Sequence, residues 1–151
     1  MRCIIQRVTS ASVTVDSQLV LSIEEGLLLL IGITLEDSTE DVEYIARKVL
    51  SLKLFPSDKT EWGKSVLRSG KEIMAVSQFT LFARTSKGTK PDFHRASNAS
   101  HSKPIFDMVV AKLRDQMGER VKEGVFGENM KVMLVNDGPV TVIIDSKIKD
   151  Y

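Results

Sequence analysis

The sequence predicts an α+β fold in which a mostly antiparallel, curved or barrel-like β-sheet carries two main helices packed against it. Three observations predict this fold. Strand-like apolar segments fill the first third of the chain, two later segments repeat apolar residues at helical spacing, and two more strand-like segments close the chain. The length of 151 residues suits one domain, residues 1–151, and 42% hydrophobic with 27% charged residues is typical of a globular protein.

The first third of the chain is predicted to form strands. Residues 2–9 are rich in Ile and Val, and residues 12–16 and 19–23 alternate apolar with small or polar side chains. Asp16-Ser17-Gln18, between the alternating segments, suits a hairpin turn. Gly26 then introduces the run LLLLIGI, which is too short for an independent helix, so we expect a strand that is buried on both faces.

Two segments predict helices. The first starts after Ser38, with Asp41 placed to complete a capping pair, and the second starts near Ser102, with Pro104 in a first turn that does not need its amide. Gly118 is placed to end the second helix. The apolar residues that recur at helical spacing are Val42, Ile45, Val49 and Leu52 in the first helix, and Ile105, Phe106, Val109, Val110, Leu113 and Met117 in the second.

The segments between the helices are predicted to be short strands and loops. Residues 53–55 indicate a short strand, residues 57–70 a polar loop or irregular ribbon, and residues 72–82 a longer strand. Residues 83–101 hold few large apolar side chains and many turn formers, which predicts a long surface loop of a kind that is usually functional or mobile.

The end of the chain predicts a hairpin. Residues 131–135 and 140–145 are strand-like, and Asn136-Asp137-Gly138-Pro139 between them is rich in turn formers.

Composition excludes several classes of protein. The net charge of +1 provides no global basic field, so the chain does not coat nucleic acid through charge alone. The single cysteine, Cys3, cannot form an internal disulfide and is expected to be a buried small hydrophobe. Arg2 and Arg7 interrupt the first apolar run, unlike a secretory signal, and the longest apolar run, residues 27–31, is too short for a membrane span. We therefore expect a cytoplasmic protein with no membrane partner.

The usual catalytic patterns are absent from the sequence. Ser77 lies in VSQFT rather than in a G-x-S-x-G elbow. A triad of Ser77, His94 and Asp92 has no supporting pattern, and Asp92, His94 and His101 lack recognised metal-ligand spacing, so exposed loop histidines are favoured. The glycines of residues 124–127 precede a strand rather than a helix, unlike a phosphate loop. We predict no metal and no cofactor.

Two segments stand out on structural grounds. Polar side chains interrupt the apolar strand at residues 77–81, which fits either a strand end that faces a pocket with exposed amides or plain alternation on an edge strand. Pattern alone does not choose between these. At Gly138-Pro139 the proline has no amide for a sheet ladder; an ordinary trans turn is favoured by pattern, and a cis bond is the alternative.

SQFTL at residues 77–81, together with NDGPVT at residues 136–141, resembles the motif pair of the D-aminoacyl-tRNA deacylase family. The segments RCIIQRV, LLLLIGI, KGTKPDFH and GVFG resemble that family in the same order, so the resemblance covers nearly the whole chain. It implies a homodimeric hydrolase that cleaves the ester bond of D-aminoacyl-tRNA, and of glycyl-tRNA mischarged on a non-cognate tRNA.

The resemblance also implies roles for individual residues. Gly138 and Pro139 would form a cis step that enters the partner subunit's active site, where main-chain carbonyls leave no room for an L side chain. Arg7 would support this step through hydrogen bonds, although pattern alone favours a solvated strand residue. The catalytic residues implied by the family are Ser77, Gln78, Phe79 and Thr80.

The resemblance leaves two accounts of the chemistry. Amides near Gln78 and Phe79 would stabilise the oxyanion in both. Thr80 is the nucleophile in one account; in the other, which we favour, the terminal ribose 2′-hydroxyl of the tRNA helps to activate water.

The tRNA 3′ end would approach along the loop after SQFTL. Its expected contacts are Arg84, Lys87, Lys90 and Phe93, although pattern alone favours a solvated loop. A nucleic-acid-binding dimer without catalysis is the competing hypothesis.

Overall fold

Strand β1 (Arg2–Val15) organises the sheet in the computed structural model, which describes residues 1–150. Strand β8 (Lys131–Asp145) pairs antiparallel with β1 along most of its length. On its other edge β1 pairs antiparallel with β2 (Gln18–Ile23) and then with β3 (Gly26–Gly32). The β1–β2 hairpin turns at Asp16 and Ser17, which both have positive φ, so the predicted hairpin is confirmed.

The sheet is mixed: three of its five strand pairings are antiparallel and two are parallel. Strand β6 (Glu72–Ser77) runs parallel to β3, and β7 (Val121–Glu123) runs parallel to β6. The connections into β6 and β7 each pass through a helix, which is what a parallel neighbour requires. The six strands curve into a nearly closed, barrel-like sheet, and the α+β class is confirmed.

Within residues 1–150, a third and short helix accompanies the two predicted main helices. Helix α1 (Thr39–Ser51) begins where predicted, because the Asp41 carboxylate accepts the Ser38 amide at 2.8 Å. The segment predicted as a polar loop, residues 57–70, contains strand β5 (Lys64–Ser65), which pairs with β4 (Lys53–Phe55), and the short helix α2 (Val66–Ser69).

Helix α3 (Ala99–Met117) begins earlier than the predicted start near Ser102. Asn98 caps it, and its Oδ1 accepts the His101 amide at 3.1 Å. Pro104 therefore lies beyond the first turn, and Gly118, with φ of 58°, ends the helix as predicted. Among residues 1–150, no helix is both long and apolar enough to cross a membrane.

Strand β3 is buried on both faces, as predicted. Leu27 and Leu29 pack into the larger core beneath α1 and α3, and Leu28 packs into a second cluster with Met74 and Val76. Cys3 belongs to the larger core, where burial raises the pKa of its thiol, so the expectation of a buried small hydrophobe is confirmed.

The predicted strand over residues 72–82 ends early. The Gln78 amide donates the last sheet bond to the Ile31 carbonyl at 2.8 Å, and a 3-10 helix (Phe79–Phe82) follows. This helix packs on the backbone of Gly32, where an added Cβ would lie 3.0 Å from the Gln78 carbonyl oxygen and 3.0 Å from the Leu81 Cβ.

The predicted C-terminal hairpin is wrong. Strand β8 is continuous, and both of its halves pair with β1: Gln6 opposes Thr141 and Val8 opposes Asn136. Residues 137–140 therefore bulge out opposite Arg7 alone. Because Pro139 has no amide for the ladder, the strand accommodates Gly138-Pro139 as a bulge rather than as a turn between two strands. We call residues 137–140 the Gly-Pro loop.

Candidate active site

A cleft of about 370 Å3 opens at the carboxyl end of β6. The start of α3 and the segment between β7 and β8 form its other walls. Apolar side chains form much of its lining and polar groups sit among them. The lining residues are Ile31, Ile33, Val76, Ser77, Gln78, Phe79, Ser97, Ala99, Ser102, Phe126, Gly127, Glu128, Asn129, Met130 and Val132.

Residues 77–80, which we call the SQFT segment, border this cleft, so the pocket-facing alternative describes them better than edge-strand alternation. Ser77 is half-buried at the end of β6, opposite Ile31. The Phe79 amide has no acceptor among residues 1–150, in contrast to the Gln78 amide, which is bonded within the sheet. Of the two amides expected to meet the substrate, only that of Phe79 is available.

Thr80 does not lie in the cleft lining. Its hydroxyl is exposed and accepts a hydrogen bond from the Gln78 side-chain amide. Among residues 1–150 no carboxylate or imidazole is hydrogen-bonded to this hydroxyl, so Thr80 has no general base at hand.

Several cleft residues were missed by the sequence reasoning. Asn98 caps α3, and the early start of this helix brings three residues to the cleft, Ser97, Ala99 and Ser102. The SNAS segment, residues 97–100, carries the capping signal for this start. Phe126 lies in the GVFG segment and packs on Phe106 with ring centroids 5.6 Å apart. The only sequence signal for Phe126 is an aromatic residue in a segment bounded by two glycines, and a search for phosphate-binding loops does not detect such a signal.

The basic loop after the SQFT segment forms a narrow ribbon. The Arg84 and Asp92 main chains exchange hydrogen bonds of 2.7 and 3.0 Å, which hold the exposed Lys87 and Lys90 between them. Phe93, at the base of the ribbon, meets the Phe79 ring edge to face with centroids 5.2 Å apart. The structure thus brings Phe93 to the cleft and leaves the two lysines at the ribbon's tip.

The loop histidines do not form a catalytic group with Ser77. His94 is exposed outside the cleft lining, and its Nδ1 lies 2.6 Å from an Asp92 carboxylate oxygen. Hydrogen bonds from the His94 amide and ring hold the pKa of Asp92 below its usual value. Within residues 1–150, no three His, Cys, Asp or Glu side chains are grouped to hold a metal ion.

The Gly-Pro loop lies outside the cleft of its own chain. Gly138 and Pro139 are exposed, and neither contributes to the cleft lining. The peptide bond between them is cis, not the trans form that pattern alone favours. Gly138 has φ of 134°, and a Cβ there would lie 2.6 Å from Val140 Cγ2 and 2.9 Å from the Val140 nitrogen, so only glycine fits.

Two side chains hold the Gly-Pro loop to the sheet. Arg7 is 8% exposed, which rules out the solvated alternative; its Nε donates to the Asp137 carbonyl at 3.2 Å and its Nη1 to the Leu54 carbonyl at 2.7 Å. Asn136 spans the bulge, accepting the Val140 amide at 2.8 Å and donating to the Thr141 hydroxyl at 3.0 Å. The sequence reasoning had singled out Arg7 and had missed Asn136.

A larger groove of about 790 Å3 lies among α1, α2, α3 and the β4–β5 pair. It contains none of the predicted site residues, and its walls carry several charged side chains, including an ion pair between Lys112 and Glu43. Size alone therefore does not identify the active site of this chain.

Sequence comparison relates this chain to known deacylases. A profile described as "D-Tyr-tRNA(Tyr) deacylase" matches residues 4–145. The D-aminoacyl-tRNA deacylase of Yarrowia lipolytica is 51% identical over 97% of this chain and 98% of its own, and that of Saccharomyces cerevisiae is 44% identical over 97% and 99%.

Solved structures share the fold. A "c-Myc DNA Unwinding Element Binding Protein" superposes with a TM-score of 0.91 at 40% identity, covering 96% of this chain and 98% of that one. A probable eukaryotic D-amino acid tRNA deacylase superposes with a TM-score of 0.83 at 16% identity, over 95% and 97%, which shows the shared fold alone. From the profile match and the full-length relatives, this chain belongs to the D-Tyr-tRNA(Tyr) deacylase family.

Proposed function

We propose that this chain is a D-aminoacyl-tRNA deacylase that works as a homodimer in the cytoplasm. Water attacks the ester carbonyl carbon, the bond to the ribose oxygen breaks, and that oxygen takes a proton, which releases the D-amino acid and the tRNA. One observation carries the proposal beyond family membership: the SQFT segment borders a cleft, while the Gly-Pro loop is held rigidly at an exposed position outside it.

The placement of the two motifs supports a site shared between subunits. The Gly-Pro loop of one subunit would enter the cleft of the other, as the family resemblance implies. Next to the loop, Met133 and Val135 point outward from β8 and are 73% and 55% exposed. Apolar side chains on an exposed strand are suited to burial against a second copy.

Rejection of L-amino acids follows from what the Gly-Pro loop presents. It offers main chain and a proline ring, and Gly138 tolerates no side chain of its own. A rigid main-chain surface beside the substrate α-carbon excludes an L side chain by steric clash, and it accepts D-amino acids or glycine whatever their side-chain chemistry. Arg7 and Asn136 supply the rigidity that such discrimination needs.

The hydrolytic step is assigned to the Phe79 amide and a water molecule. The free Phe79 amide donates to the developing oxyanion. Thr80 hydrogen-bonds to Gln78, and no general base bonds to its hydroxyl in the described part of the chain, so the tRNA 2′-hydroxyl remains the favoured group for activating water.

The ribbon that carries Lys87 and Lys90 is proposed to contact the tRNA backbone, because both lysines are exposed and Phe93 joins the ribbon to the cleft edge. Lys87→Glu should raise KM and weaken the salt dependence of kcat/KM. Arg68→Glu, an equal charge reversal on the exposed face of α2, serves as the control. Equal KM values for the two variants would remove the ribbon from the tRNA site.

The activity is tested with matched D- and L-tyrosyl-tRNA and glycyl-tRNA. Hydrolysis of the D and glycyl esters with the L ester spared supports the proposal; no hydrolysis of the D ester by the folded protein refutes it.

Sharing of the site between subunits is tested by mixing two inactive variants. Gly138→Ala displaces the Gly-Pro loop, and Phe79→Pro removes the oxyanion donor. If loop and cleft meet across subunits, a mixed dimer contains one site with both parts intact, so about a quarter of the wild-type activity should return under random exchange. No recovery, with subunit exchange verified, would place loop and cleft in the same chain.

A second candidate function is DNA binding, favoured by the similar structure described as a DNA unwinding element binding protein. Competition of an unpaired DNA oligonucleotide with D-tyrosyl-tRNA for binding to the protein separates the two functions. Competition at comparable concentrations would support a shared nucleic-acid site, whereas tRNA binding alone would leave the deacylase role by itself.

A further inference from the structure

We infer that Arg2 is a positioning residue that holds the SQFT segment against the sheet, with Asp145 as its anchor. Nη1 of Arg2 donates to the Leu81 carbonyl at 2.9 Å, and Nε donates to the Asp145 carboxylate at 3.0 Å. The guanidinium also lies over the Phe82 ring, 5.1 Å from its centroid. One side chain thus grips both the main chain and a side chain of the 3-10 helix that follows Gln78.

The sheet register explains why these groups meet. Asp145 on β8, Arg2 on β1 and Gly32 on β3 are directly opposite one another across three neighbouring strands. Paired residues point to the same face of a sheet, so all three face the 3-10 helix. Gly32 lets the helix approach closely, Arg2 binds it, and the 4%-exposed Asp145 side chain orients Arg2.

Among residues 1–150, the 3-10 helix has few hydrogen bonds to residues distant in sequence besides the one from Arg2. Its own bonds are short-range, from the Leu81 amide to the Gln78 carbonyl at 3.3 Å and from the Ala83 amide to the Thr80 carbonyl at 3.0 Å. The Arg2 bond to Leu81 is charge-assisted and comes from a different strand, so it ties the helix to the sheet. Since Phe79 opens this helix, the position of its free amide depends on the Arg2 clamp.

Arg114 offers a matched control. Its Nε donates to a main-chain carbonyl, that of Val121, at 3.3 Å and its Nη1 to the Glu123 carboxylate at 3.0 Å. Arg114 therefore makes the same two kinds of bond as Arg2, but on the last turn of α3 and outside the cleft.

The experiment compares Arg2→Ala, Arg2→Lys, Asp145→Asn and Arg114→Ala. This test rests on the proposed function for its kinetics, with D-tyrosyl-tRNA as substrate. Arg2→Ala should lower kcat about 10- to 100-fold with KM changed less than about threefold, because misplacement of a catalytic group acts on the transition state. Arg2→Lys and Asp145→Asn should be intermediate, and Arg114→Ala should keep the wild-type kcat.

Amide hydrogen exchange supplies a readout that needs no activity. Exchange at Leu81 and Ala83 should quicken at least about tenfold in Arg2→Ala and stay unchanged in Arg114→Ala. If the wild type does not hydrolyse the substrate, the proposed function fails while exchange still decides on the clamp. Unchanged exchange at Leu81 and Ala83 in Arg2→Ala overturns the inference. If Arg2→Ala does not fold, the same measurement on Asp145→Asn decides instead. A kcat loss no larger than that of Arg114→Ala overturns it too.

Discussion

A proline substitution removes the Phe79 amide, and an alanine substitution at the same position controls for the ring that is lost with it. Proline at position 79 deletes the N–H that is assigned to the oxyanion. Proline suits the first position of a 3-10 helix, which Phe79 occupies, and Gln78 before it, with φ of −145° and ψ of 83°, lies outside the α region that a following proline disfavours.

The size of the effect follows from the hydrogen-bond inventory. The Phe79 amide has no acceptor among residues 1–150, so its loss breaks no native bond and should cost little stability. Loss of one oxyanion donor lowers kcat about 10²- to 10³-fold, or roughly 3–4 kcal/mol in transition-state stabilisation. Phe79→Ala keeps the amide and removes the ring that meets Phe93, so it isolates the packing contribution.

Single-turnover hydrolysis of D-tyrosyl-tRNA with saturating enzyme measures the contribution of the Phe79 amide to the rate of the chemical step. Phe79→Pro should be slower than Phe79→Ala by the full donor effect, with similar thermal unfolding of the two variants. Equal rates for the two would refute the assignment of the oxyanion to the Phe79 amide and would shift attention to other donors around the cleft.

Three further predictions use other parts of the molecule. Thr80→Ala should keep appreciable hydrolysis of D-tyrosyl-tRNA, and complete loss with intact binding would make Thr80 the nucleophile. Arg7→Ala should lower the free energy of unfolding by about 3 kcal/mol and Tm by roughly 6–12 °C, because it leaves two main-chain acceptors without a charged donor. Substitution of the exposed Arg47 by alanine is the control, and equal Tm values for the two variants would contradict a stabilising role of the buried Arg7. Burial raises the pKa of Asp41, but hydrogen bonds from Lys147, Ser146 and the Ser38 amide outweigh it and leave this pKa well below its usual value. A lowered folded-state pKa stabilises the fold at pH values above the unfolded-state pKa of about 3.9, and this stabilisation is lost as pH falls below that value. The free energy of unfolding should therefore fall less steeply with decreasing pH in Asp41→Asn than in the wild type. Urea titrations from pH 5 to 2 measure this pH dependence, and an equal dependence in the two proteins would contradict the prediction.

The parts of the fold that were predicted correctly depend on local patterns. The LLLLIGI run is continuous because β3 has a core on each face, and the start of α1 follows from Ser38 and Asp41, whose capping bond is local. Such features are determined by residues close in sequence, so periodicity and capping rules detect them.

The parts that were predicted wrongly depend on distant partners. β8 is continuous because β1 pairs with both of its halves, and nothing within residues 131–145 reveals that. Likewise, the strand after Glu72 ends at Ser77 because the chain turns onto Gly32, which is far away in sequence. Local turn formers are equally compatible with a hairpin and with a bulge, and only the pairing partner distinguishes them.

The same limit applies to the candidate site. The two motifs were recognisable as segments, and Arg7, which the family resemblance singled out, hydrogen-bonds to Asp137 in the Gly-Pro loop. The clamp formed by Arg2 and Asp145, by contrast, links the first and last strands to the middle of the chain. No sequence pattern joins those residues, because the sheet register alone brings them opposite one another.

The bulge in β8 connects the fold to the proposed chemistry. Because both halves of β8 remain paired with β1, the Gly-Pro loop is fixed at both ends. Arg7 lies opposite the loop on β1, and its side chain turns to the main chain of the loop. A loop fixed in this way cannot swing into the cleft of its own chain without breaking the ladder. An element that is rigid, exposed and outside its own cleft is useful for discrimination only when another molecule brings a cleft to it. Under the proposed function, the rigidity that would make the loop selective is therefore also what would require a second subunit.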